Sequence, residues 1–124
     1  MPWIDRGYVV LALVLLVLGE MLGFYVGASG NTAYRSLHIT MVLPGFVTLA
    51  LYGALFRLWP AMKAGPLAAA QFWIGALSTI GIVIGTWHFS ISGGSIAIIA
   101  PASAAAILAS LMLLWLFWTR SETA

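Results

Sequence analysis

The chain contains no cysteine, which excludes disulfides, thiolate nucleophiles and cysteine-ligated metal clusters. Charge is almost as scarce. Only 6% of the 124 residues are Asp, Glu, Lys or Arg, against roughly a quarter in a soluble domain, so the chain lacks the polar groups to cover a water-facing surface. The net charge of +2 is too small and too dispersed for a nucleic-acid surface, and no nucleic-acid partner is expected. Histidine occurs only twice. In place of these residues the chain carries 63% hydrophobic residues and a mean hydropathy of +1.08, the composition of an integral membrane protein. Its first stretch, "MPWIDRGYVV", has no clean cleavage site and reads as a retained first helix rather than a signal peptide.

A bilayer core of about 30 Å needs roughly 20 apolar residues as helix. Four stretches qualify, at about 8–28, 37–59, 67–91 and 95–118. They are separated by "SGNTAYRS", "PAMKAGP" and "SGG", whose glycines and prolines suit turns. Backbone groups in lipid must be satisfied within the segment, so helices are expected. The predicted fold is all-α, a single transmembrane four-helix bundle in which helices 2, 3 and 4 are sequential antiparallel neighbours. Arg6, Arg57, Lys63 and Arg120 fall on the side holding both termini and the second loop, and only Arg35 falls on the other. By the positive-inside rule the N and C termini are cytoplasmic, in a bacterial-type inner membrane. Trp3, Trp59, Trp115 and Trp118 near one end, and Trp87 near the other, fit interfacial belts.

Gly19, Gly23 and Gly27 recur every fourth residue, as do Gly81 and Gly85. Such faces let helices approach closely in lipid, either within the chain or against another copy. A homo-oligomer, or docking onto a larger membrane complex, is expected of so small a bundle.

The two histidines fall at matching depth. His38 stands near the outer start of the second helix and His88 near the outer end of the third. Histidine inside a membrane helix is rare and usually functional. Two imidazoles can hold a heme iron from opposite faces, and Ser78, Gly81, Gly85 and His88 share a helix face whose small residues would leave room for a flat macrocycle. His38, Met41, Gly45, Thr48 and Tyr52 make a comparable stripe, and Arg35, one turn outward, would pair with a propionate. Pro44 removes a backbone donor near this site. Copper held by His38, Met41 and His88 is the alternative, and two interfacial histidines bonded to backbone or water are the plainer one.

The stretch "RSLHITMVLPGFVTLALYGALFRLWP" resembles the second transmembrane helix of heme–copper oxidase catalytic subunits, including nitric oxide reductases. It is more similar still to small oxidase-like membrane proteins that carry only the early helices. The resemblance rests on His38, Gly45 with Phe46, Tyr52 with Gly53, and Arg57 before Trp59 and Pro60. It continues in "AQFWIGALSTIGIVIG", which is similar to the third helix, and covers about residues 19–86. It implies that His38 occupies the place of a low-spin heme ligand on the outer side. Thr40 stands where the small proteins often have the second histidine of a His-x-His pair, and the later helices that supply other ligands in the large enzymes are absent. The implied role is a b-type heme protein in electron transfer, sensing or accessory service to a respiratory complex, not a complete enzyme.

Glu20 lies well inside the first helix, where an ionised carboxylate is costly. "LGEMLG" also resembles the first helix of small multidrug-resistance transporters, which makes Glu20 a candidate proton site and proton-coupled transport a competing function. A structural subunit without cofactor is the third class.

Overall fold

In the computed structural model, residues 2–123 are described, and they contain helices and turns but no strand. Four helices are long and apolar enough to cross a bilayer: α1 (Ile4–Ser29), α2 (Thr32–Leu58), α3 (Gly65–Ile91) and α4 (Ile99–Arg120).

Helix α1 begins before its apolar run and takes Asp5 into its first turn, where a carboxylate complements the positive end of the helix dipole. It stops at Gly30, whose φ of 69° lets the chain turn left-handed while its N–H bonds to the Val26 carbonyl. Pro66 in the first turn of α3 needs no hydrogen-bond donor there. Gly93 and Gly94, with φ of 76° and 105°, close α3. The chain then stays non-helical to Ile98. The Ser92 and Ser95 hydroxyls accept bonds from the backbone of Ser95 and Ala97 at 3.0 and 3.4 Å, which competes with helix formation. The third connection is therefore longer than the "SGG" break suggests.

Helix α2 changes pitch along its length. A 3-10 turn at Thr32–Tyr34 is capped by the Asn31 side chain, and α-helix follows over Arg35–Thr40. Met41–Val47 is π-helical around Pro44, and α-helix resumes over Thr48–Leu58. Pro44 cannot donate to a carbonyl of the preceding turn, and a wider turn accommodates that loss.

The helices associate as two close pairs, α1 with α2 and α3 with α4. Because lipid tails are as apolar as leucine, close backbone approach and polar bonds must hold them rather than a hydrophobic drive. In the first pair, Gly19 packs on Met41 and Val42, Gly45 on Leu15, and Gly53 on Val9 and the Asp5 carbonyl. In the second, Gly81 meets Ala102 and Gly85 meets the backbone of Ile99.

Between the pairs, toward the end that holds both termini, lies an aromatic core. The Tyr8 ring packs against Tyr52 and Phe72 at centroid distances of 5.5 and 4.8 Å. The Tyr8 hydroxyl donates to Gln71 Oε1 at 2.7 Å, and Gln71 Nε2 donates to the Ala109 carbonyl at 3.2 Å. Three helices are thus joined through one buried amide. Nearer the end, buried Asp5 accepts from Arg57 at 3.1 Å and from Lys63 at 3.3 Å. Arg120 donates to the carbonyl of Ala64 in the α2–α3 connection, tying down the end of α4.

Candidate functional site

His38 is held by α1. Its Nδ1 lies 2.7 Å from the Gly19 carbonyl oxygen. A carbonyl can only accept, so Nδ1 carries the proton and the lone pair of the neutral ring sits on Nε2. The ring lies so close on Gly23 that a methyl group there would sit 2.6 Å from Cε1. Two glycines one turn apart therefore serve one imidazole. Gly19 gives the carbonyl and close approach, and Gly23 gives the space. Nε2 makes no hydrogen bond among the described residues and is not among the sealed-off polar atoms.

His88 is placed differently. It shares the face of α3 that carries Gly81 and Gly85, the face packed on α4. Its Nδ1 is buried and has no hydrogen-bond partner among the described residues. Between the histidines, Thr40 and Thr86 bring α2 and α3 together with their hydroxyl oxygens 3.3 Å apart. Each histidine is two residues from that contact, a rotation of about 200° on its helix. His38 is thereby turned to α1 and His88 to the α4 side. They share a depth but not a slot, and two residues below them the Thr40–Thr86 contact closes α2 on α3.

The small residues expected to line that slot are occupied by protein. Gly45 is buried against Leu15, Gly81 is filled by Ala102, and Gly85 by Ile99. Their role is to let helices touch. Met41 backs onto Gly19 through its Cβ, at 3.2 Å from where a Gly19 methyl would stand. Arg35 is exposed near the N-terminal end of α2, one turn before His38. Glu20 is exposed on α1 and forms no ion pair among the described residues. No group of three His, Cys, Asp or Glu side chains comes together among the described residues.

A largely apolar groove with a few hydroxyls in its walls was not anticipated from the sequence. It encloses about 410 Å³ and opens between α2 and α4 over α3, lined in part by Pro44, Thr48, Tyr52, Thr79 and Ser110. Tyr52 and Ser110 bridge it at 2.6 Å, and Ser110 in turn donates to the Ala106 carbonyl at 3.0 Å. Ser78 and Thr79 return their protons to the Gly75 carbonyl at 3.0 and 2.9 Å. These hydroxyls are satisfied within the bundle, as groups in lipid must be. The sequence signal was the adjacent pair Ser78 and Thr79 in an apolar helix, three and four residues after Gly75.

Comparison with known protein families, curated proteins and solved structures finds no match. The functional reading therefore rests on the site itself and on the resemblance of its sequence. As a candidate ligand His38 has the support that metal-bound histidines usually show, a backbone carbonyl fixing the other ring nitrogen. His88 lacks such a partner among the described residues.

Proposed function

We propose that the chain is an oxidase-like membrane protein that offers His38 as an axial ligand to a b-type heme. It serves in electron transfer, sensing or as an accessory subunit of a respiratory complex, and is not a complete enzyme on its own. The observation that carries this is the bond from His38 Nδ1 to the Gly19 carbonyl at 2.7 Å, which leaves Nε2 as the free donor atom. When bound, a b-type heme supplies a one-electron couple. The chain's own residues hold the ligand: Gly19 fixes the tautomer, Gly23 seats the ring, and Arg35 presents a guanidinium one turn outward for a carboxylate. Because His88 is turned to the α4 side, His38 is the histidine that would hold the group within this chain, and a second copy or a partner subunit would supply any further ligand. Copper held by His38 and Met41 is the alternative occupant. The positive-inside rule supports both termini in the cytoplasm of a bacterial-type inner membrane and His38 toward the outer face.

The test is an absorption spectrum of protein purified from heme-replete cells. A Soret band that shifts on dithionite reduction, is lost in His38→Ala and persists in His88→Ala is expected. Protein without any such band, or a band unchanged in His38→Ala, overturns the proposal. Exposed, unpaired Glu20 favours the competing reading of proton-coupled transport. That reading requires substrate efflux from proteoliposomes to vanish in Glu20→Gln.

A further inference from the structure

We propose that the groove between α1 and α2 at the end bearing both termini binds one anionic phospholipid. The groove encloses about 490 Å³ and is lined by Arg6 and Arg57 at its outer edge and by Val9, Val10 and Ala54 one turn deeper. The close contact of Gly53 with Val9 and with the Asp5 carbonyl forms its floor. The charge at its mouth is unbalanced. Asp5 gives one carboxylate oxygen to Arg57 and the other to Lys63, so its single negative charge is shared between two cations. The two guanidinium groups that line the groove, Arg6 and Arg57, face that one shared carboxylate, so positive charge is in excess at its mouth. The Arg57 side chain remains 79% exposed beyond its single contact. Arg6 is exposed and makes no ion pair among the described residues.

The shape fits a lipid with two chains. On the other flank of the Arg6–Val10 ridge a second groove of about 420 Å³ runs between Trp3, Gly7, Leu11 and Val14. It continues inward over Val14, Val17 and Leu18. One acyl chain fits on each side of the ridge, with the phosphate between Arg6 at its end and Arg57 across the groove. Guanidinium matches phosphate geometry through paired hydrogen bonds, and basic pockets between transmembrane helices recognise anionic headgroups. A second copy docked symmetrically on this face would set its own Arg6 and Arg57 against the same positive surface. A free inorganic anion would leave the apolar walls unused.

The experiment is native mass spectrometry of detergent-stripped protein offered phosphatidylglycerol or phosphatidylcholine of identical acyl composition. The expected result is preferential retention of phosphatidylglycerol, weakened about fivefold in Arg6→Gln, the effect of one basic residue near an anionic headgroup. Arg6→Lys keeps the charge but not the paired donors and should fall between the parent and Arg6→Gln. Ala54→Trp fills one acyl groove without touching charge and should lower retention of phosphatidylglycerol. Equal retention of the two lipids, an undiminished preference in Arg6→Gln, or displacement of the lipid by millimolar glycerol phosphate each overturns the proposal. Arg6 makes no contact that the fold depends on, so its variant tests binding rather than folding.

Discussion

Gly23→Ala and Gly27→Ala make the same chemical change one turn apart on α1, yet the structure assigns them opposite signs. A methyl group on Gly23 would lie 2.6, 2.9 and 3.2 Å from Cε1, Nδ1 and Nε2 of His38, so the ring must leave its seat. Overpacking of this kind costs about 1–3 kcal/mol. The lost bond to the Gly19 carbonyl adds about 0.6–1.5 kcal/mol. The better helix propensity of alanine offsets about 1 kcal/mol. The net expectation for Gly23→Ala is a destabilisation of about 0.6–3.5 kcal/mol. A methyl group on Gly27 would meet nothing within 4 Å, so Gly27→Ala should stabilise by up to about 1 kcal/mol. Reversible unfolding in mixed micelles, titrated with dodecyl sulfate and followed by far-ultraviolet circular dichroism, reads both values. Nitrogen-15 spectra of labelled histidine should show the Nδ1–H tautomer of His38 in the parent protein and its loss in Gly23→Ala. Two variants of equal stability, or an unchanged tautomer, would refute the assignment of Gly23 as the seat of the imidazole.

Two further substitutions probe the second helix pair and the buried amide. Gly85→Ala would place a methyl group 2.7 Å from the backbone nitrogen of Ile99. Backbone cannot swing aside, so a loss of at least about 2 kcal/mol is expected by the same unfolding titration. Gln71→Leu keeps the volume but removes the donor to Ala109 and the side-chain acceptor of Tyr8. The Tyr8 hydroxyl retains the Gln71 carbonyl at 3.0 Å, so the cost should be about 0.6–1.7 kcal/mol, the range for such bonds in membranes. A Tyr8→Phe, Gln71→Leu double variant should then lose less than the sum of the singles.

The four helices were legible because apolar runs of membrane length leave little alternative, and of the basic residues assigned to one side Arg57 and Lys63 meet on Asp5 while Arg120 reaches the nearby Ala64 carbonyl. The glycine spacing on α1 announced a close approach. It did not say that an imidazole would fill the space, because periodicity gives a face and not its occupant. On α3 the same smallness suggests room for a macrocycle, whereas Ala102 and Ile99 fill it. A void there would forfeit dispersion contacts on both walls. Depth along a helix puts His38 and His88 level, but depth carries no information about rotation, and the Thr40–Thr86 contact supplies it. The stripe from His38 to Tyr52 assumes an unbroken 3.6-residue period, and the π-helical turn at Met41–Val47 breaks it. Pro44 was the one warning in that stretch. Asp5 gave no sign of its structural role, because its partners lie 52 and 58 positions away.

The chain of bonds through Gln71 also has a meaning in time. Tyr8 and Gln71 are 63 residues apart, so at about 5–20 residues per second the ribosome delivers the amide about 3–13 s after the tyrosine. During that interval the first helix pair must survive with a phenol hydroxyl lacking its final acceptor. Gly19, Gly45 and Gly53, with the bond from Asp5 to Arg57, lie wholly within residues already made. The early hairpin is thus stapled by its own contacts at both ends, and the later pair docks onto a half that is already in register.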